Sequence, residues 1–357
     1  MADVRCMILR GGSSKGAYFL RGDIPEAVDE RDDLLLRILG SPDERQIDGI
    51  GGGHPLTSKV AVVGRCPEPL ADVDYLFLQV SVDEPLVSDR QNCGNLLAAV
   101  APFAIERGLV AVDPDATEAT VRILMRNTDS VATATVAVAD GAPIYDGDTA
   151  ISGVPGTAAA VRLDFEDVAG GSTGALLPTG NVRDQVAGID CTLIDGGMPV
   201  VVLRADAVGV SGHESCAELE ANATLRSTLE DLRLQAGKLM GLGDVTETTV
   251  PKLTMVAPPR AGGNLCTRTF IPHRCHDAIG VLGAVSVAAA AMLTGSPAAE
   301  LLVGAPTDRV VLEHPSGDFE AAVTLTAGGE HDHPSLDRAG IIRTARKLMD
   351  GTVYPRS

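Results

Sequence analysis

NLLAAVAPFAIER, residues 95–107, and AIGVLGAVSVAAAAML, residues 278–293, are the two stretches that decide the fold. Each has the length of a helix, and each is apolar on nearly all of its faces. A helix without a polar stripe has to be enclosed by protein on every side. We therefore predict two buried central helices, and their separation by roughly half the chain indicates an internal duplication.

The sequence around these helices is typical of β-strands. Short runs rich in Val, Ile and Thr alternate with turns that contain Gly, Pro and Asp. The clearest strands are predicted at 59–63, 75–82, 131–139, 192–194, 200–203 and 310–312. An amphipathic surface helix is expected over 29–39. Many strands around two enclosed helices predict an α+β protein with two modules, each a curved mixed β-sheet wrapped around one central apolar helix.

A turn-rich segment, LPTGN at 177–181, marks the expected boundary between the modules. We assign 1–183 to an N-terminal module and 184–334 to a C-terminal module. The remaining segment, 335–357, is predicted to form a helix capped by Ser335. This helix could pack on either module, and the N-terminal module is our choice.

The charge of the chain restricts its partners. The 357 residues carry a formal net charge of -19, with 29 Lys and Arg against 48 Asp and Glu. Such a surface repels phosphate backbones and anionic lipids, so we expect neither nucleic acid nor a membrane as a partner. The longest apolar run, 278–293, is also too short to span a bilayer. If the ligand is an anion, basic residues have to be concentrated where it binds.

Seven cysteines stand at irregular spacing, without a CxxC pair. An odd number in a chain of this size is a poor match for a disulfide framework and fits reduced thiols. The first residues, MADVR, contain an acid and no apolar run typical of a signal peptide. We therefore expect a cytoplasmic protein.

Two glycine-rich turns carry polar side chains that could face a ligand. In RGGSSKG, residues 10–16, glycines allow close approach and the hydroxyls of Ser13 and Ser14 suit an anion, although a solvated turn has the same pattern. GIGGGHPLTSK, residues 49–59, delivers Lys59 to the start of an apolar strand. A lysine withdrawn from water has a lowered pKa, which suits a general base. An edge-strand lysine that discourages aggregation is the other interpretation.

QNCGN, residues 91–95, stands directly before the first central helix. A cysteine at a helix N-terminus lies at the positive end of the helix dipole, which aids proton transfer by Cys93. The free N–H groups of a first helical turn can bind a carboxylate, so Asn92, Gly94 and Asn95 are candidate ligands. A buried, inert cysteine beside an asparagine cap is the competing interpretation.

RTFIPHRCHD, residues 268–277, leads into the second central helix and mirrors this arrangement. An acidic protein would place basic residues where an anionic ligand binds, which makes Arg268 and His276 candidates. A zinc site is the alternative here, although its spacing matches no standard motif. Its ligands would be Cys266, His273, Cys275 and His276. We predict no metal and no cofactor.

These four features, in this order, resemble the methylaconitate isomerase and 4-oxalomesaconate tautomerase family, which has the diaminopimelate epimerase-like fold. The chain is similar above all to members that act on 4-oxalomesaconate in gallate and protocatechuate breakdown. The resemblance covers nearly the whole chain. Its strings include RGGSSKGAYFL (10–20), GSPDERQIDGIGGGHPLTSKVAVV (40–63), QNCGNLLAAVAPFAIERGLV (91–110), LLPTGN (176–181), VAPPRAGG (256–263) and IPHRCHDAIGVLGAV (271–285).

The resemblance implies two topologically similar diaminopimelate epimerase-like modules with the active site in the cleft between them. It also implies that Lys59, in the TSK string, and Cys93, in the NCGN string, form an acid–base pair. Epimerases of this fold use one cysteine before each central helix, whereas Cys275 stands too early to be the second one. A two-cysteine racemase is therefore not expected.

The implied function is a cofactor-independent isomerase that moves a proton on 4-oxalomesaconate, a small polycarboxylate. Lys59 is expected to remove a proton next to a carbonyl, and Cys93 or water to return one elsewhere. The residues expected to bind the substrate are Ser13, Ser14, Asn92, Gly94, Asn95, Arg268 and His276. A methylaconitate or methylitaconate isomerase is the first alternative, and a non-catalytic polycarboxylate-binding protein is the second. A homodimer is compatible with each of them.

Overall fold

The chain divides into two compact units. Unit 1 contains Met1–Glu166 and Ile342–Ser357, and unit 2 contains Asp167–Ile341. The computed structural model describes residues 3–89, 93–166, 168–305, 308–326 and 334–356. Strands dominate both units and helices are few, so the predicted α+β class is confirmed.

The first strands of unit 1 alternate between antiparallel and parallel pairing. The elements are β1 (Val4–Gly11), β2 (Ser14–Leu20), α1 (Val28–Leu39), β3 (Lys59–Arg65), β4 (Val73–Val80), β5 (Val87–Ser88), α2 (Gly94–Leu97), α3 (Val100–Glu106), β6 (Glu118–Met125), β7 (Ser130–Ala139), β8 (Ala142–Pro143) and β9 (Ala160–Phe165). The strand order is β1, β2, β3, β4, β6 and β7, and the pairing changes between antiparallel and parallel at each step. β9 then pairs with β7.

Helices cover the two faces of the unit 1 sheet. On one face, side chains of β3 such as Val60 and Val62 share a core with Leu35 and Ile38 of α1, the amphipathic helix predicted over 29–39. On the other face, the hydroxyl of Tyr18 donates to the carbonyl of Leu96 in α2 at 2.7 Å. Successive side chains of a strand point to opposite faces, so the residues of β3 face α1 and the central helices alternately.

The first central helix is buried as predicted, but it is not continuous. Instead of one helix over 95–107, α2 and α3 are separated by a turn at Ala98 and Ala99. Pro102 explains the break, because proline has no N–H and its ring clashes with the carbonyl four residues earlier in a continuous helix. Restarting the helix at Val100 places Pro102 in a first turn, where both defects are tolerated.

The strands of unit 2 repeat this pattern of pairing. The elements are β10 (Asp184–Val186), β11 (Ile189–Asp195), β12 (Pro199–Arg204), α4 (Cys216–Ala221), α5 (Ala223–Leu239), β13 (Lys252–Ala257), β14 (Leu265–Phe270), α6 (Val281–Met292), β15 (Arg309–His314) and β16 (Gly317–Thr326). The last strand, β17 (Ser335–Val353), begins in unit 2 and belongs to unit 1 from Ile342 onward. The strand order is β11, β12, β13, β14, β15 and β16, and the pairing is again alternately antiparallel and parallel.

The second central helix, α6, occupies one face of the unit 2 sheet. It packs on β11, β12, β15 and β16, and most of its side chains are fully buried, as the sequence 278–293 predicts. No helix among the described residues is both long and apolar enough to cross a membrane.

The opposite face of this sheet is covered by α4 and α5, which the strand and helix patterns above do not predict. Their start signals are nevertheless present in the sequence. Ser215 and Glu218 form a reciprocal capping box at α4, and the Asn222 side chain accepts from the N–H of Leu225 at the start of α5.

The predicted C-terminal helix is wrong, because the segment forms the long strand β17. Its first part pairs with β16, from Ser335 to Ile341, and its later part pairs with β1, from Ala345 to Val353. Residues such as Arg, Lys, Leu and Met favour helices, but propensity amounts to less than about 1 kcal/mol per residue. Two rows of otherwise unpaired backbone groups, on β16 and β1, outweigh that preference.

The division between the units lies at Glu166 and Asp167 rather than at the predicted 183. A buried carboxylate accounts for the difference. Asp195, at the end of β11, accepts hydrogen bonds from the N–H groups of Ser172 and Thr173 at 2.9 and 3.1 Å. The turn-rich stretch after 168 is thereby fixed to unit 2 and is not a linker.

Arg233 of α5 is a fully buried cation, and its loss is expected to destabilise the protein strongly. Its guanidinium donates to the carbonyl of Val245 at 2.8 Å and to the Glu230 carboxylate at 2.8 Å. Arg233→Met leaves both acceptors without this donor, and we expect the free energy of unfolding to fall by about 3–5 kcal/mol. Urea unfolding followed by circular dichroism measures this. Arg226→Met, at an exposed position of the same helix, should change it by less than about 0.5 kcal/mol, and equal unfolding of the two variants would contradict the assignment.

Candidate active site

A tight turn between β1 and β2 lies directly against the start of α2. Gly12 has a φ of +52°, and a Cβ there would lie 2.2 Å from Oδ1 of Asn95. A Cβ on Gly11 would lie 2.4 Å from the carbonyl oxygen of Asn95. Only glycine permits this approach. The turn then brings Ser13 within reach of Asn95, whose Nδ2 donates to the Ser13 hydroxyl at 3.2 Å.

Ser14 is the most distinctive polar residue of this turn. Its side chain is 2% exposed, and its hydroxyl has no hydrogen-bond partner among the described residues. A buried hydroxyl without a partner costs about 1–3 kcal/mol, so such groups are uncommon unless something else supplies the bond. Ser14 and Tyr18 have the same parity along β2, which places Ser14 on the face of the central helices.

Lys59, the first residue of β3, is an ammonium group withdrawn from water. The residue is 7% exposed, and its Nζ donates to Oε1 of Gln79 at 2.6 Å. Its Nζ also lies 5.0 Å from the ring centroid of Phe77. Burial lowers the pKa of Lys59, and the nearby Cys93 acts in the opposite direction. No carboxylate forms an ion pair with this amine in the described part of the chain.

Gln79 holds the lysine in place and was not foreseen from the sequence. It stands opposite Lys59 across the β3–β4 pair, and its Nε2 donates to the carbonyls of Pro55 and Ser58, both at 3.1 Å. These two bonds orient the amide so that Oε1 faces the ammonium. Residues directly opposite on antiparallel strands contact each other, so the register of β3 and β4 would have revealed Gln79.

Cys93 is the residue that precedes α2, and it is partly exposed. The N–H of Leu97 donates to the carbonyl of Cys93 at 3.0 Å, which is the first hydrogen bond of the helix. The N–H groups of Gly94 and Asn95 come before it and make no hydrogen bond within the helix. The hydroxyl of Tyr75 donates to the same carbonyl at 3.4 Å. Because α2 is a single turn, these local N–H groups replace the long helix dipole that a continuous helix over 95–107 would supply.

The structure thus brings together six of the predicted residues in unit 1. Lys59 and Cys93 are close enough to interact electrostatically, and the turn with Ser13 contacts Asn95. Asn92 lies outside the described residues, so its predicted role stays a prediction. The six residues are Ser13, Ser14, Lys59, Cys93, Gly94 and Asn95.

The resemblance implies an amine and a thiol as an acid–base pair, and the structure has a partly exposed thiol at the start of a buried helix with a desolvated amine near it. The PrpF protein family matches residues 1–356. The chain belongs to this family.

Two relatives match this PrpF family member along nearly their whole length. The (4E)-oxalomesaconate Delta-isomerase of Novosphingobium sp. (strain KA1) is 55% identical over 99% of this chain and 98% of its own. The 4-oxalomesaconate tautomerase of Pseudomonas putida is 53% identical over 98% of this chain and 95% of its own. A crystal structure of a methylitaconate-delta-isomerase has a TM-score of 0.86 at 34% identity, and the match covers 99% of this chain and 96% of that one.

Arg268 does not lie on the face of the central helix in its own unit. It shares its parity along β14 with Cys266 and Phe270, which pack in the core beneath α4 and α5. Its Nε donates to the carbonyl of Glu214 at 2.7 Å, and the residue is 8% exposed. The sequence prediction overlooked that a strand places alternate residues on opposite faces. Arg268 therefore stays a substrate-binding candidate by prediction alone.

His276 and Cys275 precede α6 by several residues. His276 is exposed, and its Nδ1 accepts from the N–H of Ala278 at 2.9 Å. Cys275 is buried, and its sulfur lies 2.9 Å from that of Cys216. Burial raises the pKa of the Cys275 thiol, which makes it a poor proton donor or acceptor near neutral pH. The expectation that Cys275 carries no proton in the reaction stays a prediction.

The zinc alternative finds no support in the described part of the PrpF family chain. There, no three or more His, Cys, Asp and Glu side chains are grouped so that they could hold a metal ion. Cys266 instead contacts the carbonyl of Gly212 at 3.5 Å, and His273 lies 3.6 Å from the Glu230 carboxylate.

Gly12→Ala is expected to disturb the turn that carries the two serines. The new Cβ would overlap Oδ1 of Asn95, and the left-handed backbone adds about 1–2 kcal/mol for a residue with a side chain. We expect the free energy of unfolding to fall by at least about 1 kcal/mol. Gly22→Ala is the matched control, since a Cβ there meets nothing within 4 Å. Thermal unfolding of both variants decides the point, and equal stability would show that the close approach to Asn95 is absent.

Proposed function

We propose that this protein is an isomerase that moves a proton on 4-oxalomesaconate, with Lys59 as the base and Cys93 as the acid. The observation that carries the proposal is the environment of Lys59. Its amine is buried, has a lowered pKa and has an amide as its partner, beside the only cysteine of the described chain that precedes a central helix directly. Relatives at 55% and 53% identity whose names give this substrate support the choice.

Proton transfer requires a base that is neutral at the moment of reaction. Withdrawal from water disfavours the ammonium form, so burial makes the free amine of Lys59 more available. Neutral Lys59 takes a proton from the carbon next to a carbonyl, and the electron pair spreads into the conjugated carbonyls as an enolate. A proton from Cys93 or water then completes the isomer at another atom. One proton leaves the substrate and one returns, and Lys59 then loses its proton to solvent while Cys93 regains one from solvent, which restores the enzyme.

The substrate carries several carboxylates, and the turn between β1 and β2 and the start of α2 offer donors for them. The unpartnered hydroxyl of Ser14, the hydroxyl of Ser13 and the N–H groups of Gly94 and Asn95 can each donate to a carboxylate oxygen. Asn92, Arg268 and His276 are further binding residues by prediction. We propose that the reaction needs no metal and no cofactor, since the substrate's own conjugation spreads the charge.

The names of the two relatives describe two outcomes of the same chemistry. A Delta-isomerase moves a double bond, and a tautomerase interconverts keto and enol forms. Both need one base and one acid at different atoms of an enolate, so the environment of Lys59 is compatible with either. Proton NMR in D₂O separates them, because the carbon that acquires deuterium differs.

An isomerase for methylitaconate or methylaconitate is the alternative within the family. The structural similarity to a methylitaconate-delta-isomerase, with a TM-score of 0.86, favours it. The lower identity of that protein, 34% against 55%, weighs against it. A non-catalytic polycarboxylate-binding protein would bind these compounds without exchanging their protons with solvent.

Further parts of the proposal rest on the resemblance and on composition. We propose that both units are diaminopimelate epimerase-like modules, which the repeated sense of strand pairing supports. The cleft between modules as the active site stays a prediction. The same holds for a cytoplasmic location, a homodimer and a role in gallate or protocatechuate breakdown. An ultraviolet assay of purified protein with 4-oxalomesaconate, with and without a chelator, tests the function itself.

Lys59→Met should nearly abolish turnover of 4-oxalomesaconate. The change keeps the length of the side chain but removes the amine, and a general base contributes about 10²–10⁴-fold to the rate. We therefore expect kcat to fall at least about a hundredfold while the thermal unfolding midpoint stays at or above that of the wild type. The ultraviolet assay and calorimetry measure the two quantities.

Lys238→Met, at an exposed position near the end of α5, is the control and should leave kcat unchanged. Activity of Lys59→Met within about tenfold of the wild type would remove Lys59 from the mechanism.

In the wild type, kcat/KM should rise with pH, because protonated Lys59 cannot accept a proton. The midpoint of the rise should lie below the ordinary lysine pKa of about 10.4.

The substrate preference should follow the acidity of the transferred proton. A keto group acidifies the adjacent C–H and extends the conjugation, which lowers the barrier for a lysine base. We expect kcat/KM to favour 4-oxalomesaconate over methylaconitate by at least about a hundredfold, roughly 2.7 kcal/mol. Assays of both compounds with one enzyme preparation decide this. If methylaconitate is the better substrate, the alternative isomerase takes the place of the proposed one.

A further inference from the structure

Two of the seven cysteines are in contact within unit 2, although 59 positions separate them in the sequence. The thiol of Cys216, the first residue of α4, donates to the sulfur of Cys275 at 2.9 Å. A disulfide bond measures about 2.05 Å, so the two sulfurs have to approach by less than about 1 Å to form one. Both are free thiols in this structure, and the pair is therefore placed for a bond that it has not made.

The backbone segments that carry the two sulfurs are already held together. Glu220 stands four residues after Cys216 and lies on the same face of α4. Its carboxylate accepts from the N–H of Cys275 at 3.0 Å and lies 3.7 Å from the guanidinium of Arg274. Cys275 also pairs with Phe270, the last residue of β14, in an antiparallel bridge. A bond between the sulfurs therefore requires little movement of the backbone.

The two thiols differ in exposure and in how readily each loses its proton. Cys275 is buried, whereas Cys216 is only partly buried. Burial raises the pKa of both thiols, and their contact lowers the pKa of Cys216 but raises that of Cys275. Asp277 raises the pKa of Cys216 as well, while the Arg268 guanidinium lowers the pKa of both. Because the thiolate is the reactive form, Cys216 is the sulfur that an oxidant reaches and converts first.

We propose that Cys216 and Cys275 form a modification site, at which hydrogen peroxide converts the two thiols into an intramolecular disulfide. The thiolate of Cys216 attacks one oxygen of the peroxide, the O–O bond breaks, and the sulfur becomes a sulfenic acid. The sulfur of Cys275 then attacks that sulfur, so that an S–S bond forms, the S–O bond breaks and water leaves. In all, two thiols lose two electrons and two protons, and one peroxide is reduced to two molecules of water.

The disulfide joins α4 to the segment between β14 and α6. It closes a loop from position 216 to position 275 and restricts the unfolded chain, which raises the unfolding temperature. It also protects Cys216, because a sulfenic acid that finds no second thiol is oxidised further to an irreversible sulfinic acid. The proposed proton transfer on 4-oxalomesaconate gives neither sulfur a role, so this modification does not depend on it.

Peptide mapping of the peroxide-treated protein tests the assignment. Trypsin cuts after Lys and Arg, which places Cys216 in the peptide 205–226 and Cys275 in the peptide 275–309, each with a single cysteine. After the remaining thiols are blocked, mass spectrometry without reductant should detect these two peptides joined, two hydrogens lighter than their sum. Dithiothreitol should separate them. Thiol titration of the denatured protein should find at least two thiols fewer than before treatment.

Variants of the two cysteines provide the comparison. Cys216→Ser and Cys275→Ser each remove one sulfur and should abolish the joined peptides. Oxidation should raise the unfolding midpoint of the wild type by at least about 3 °C, reversibly with dithiothreitol, and should not raise that of either variant. Cys66→Ser is the matched control, because Cys66 is also partly buried but its thiol donates to the Glu68 carboxylate. This variant should form the joined peptides as the wild type does.

Three results would overturn the proposal. Recovery of Cys216 as a sulfinic or sulfonic acid, without joined peptides, would show that the contact is core packing only. A dimer on a gel run without reductant, from which the joined peptides derive, would make the bond intermolecular. Peptides that join Cys216 to several other cysteines in similar yield would show that unfolding produced the bonds. The mapping of the wild type decides these points even if a cysteine variant fails to fold.

Discussion

A helix that is apolar on all sides cannot have a face in water, and this constraint organises both units. Sheet strands have to surround such a helix, and their side chains then alternate between the enclosed helix and the outside. In unit 1 the alternation places Tyr18 and Lys59 on the side of α2 and α3 and Val60 on the side of α1. The polar residues near the start of the helix are consequently enclosed as well. Their chemistry follows from that enclosure.

Enclosure acts differently on two polar groups on the central-helix face of unit 1, the amine of Lys59 and the hydroxyl of Ser14. Lys59 loses hydration but gains the Gln79 amide, which keeps the amine oriented while its pKa is lowered. Ser14 loses hydration and gains nothing from the described protein. Both situations raise the free energy of the unliganded state, and binding of an anion would offset part of it. A site of this kind favours ligands that bring hydrogen-bond acceptors and penalises apolar ones.

The sequence predicted what depends on hydrophobic patterning alone. The enclosed helices, the strand that Lys59 opens and the helix α1 follow from periodicity. The predictions were wrong where a distant partner decided the structure. β17 is a strand because β1 and β16 offer it backbone groups, and Arg268 faces α4 and α5 because of its parity in β14. Pro102 was readable as a break, and the pattern analysis overlooked it. Gln79 required the strand register, which no single segment contains.

The strand β17 also has a consequence for how the chain folds during synthesis. β1, near the start of the chain, pairs with β2 and with the part of β17 from Ala345 to Val353. The second ladder joins residues more than three hundred positions apart, so one edge of β1 has no partner until residues 345–353 have left the ribosome. Contacts of such separation fold slowly and leave a strand edge open to other chains in the meantime. Nascent chains of this protein would therefore be clients for chaperones that cover exposed strands.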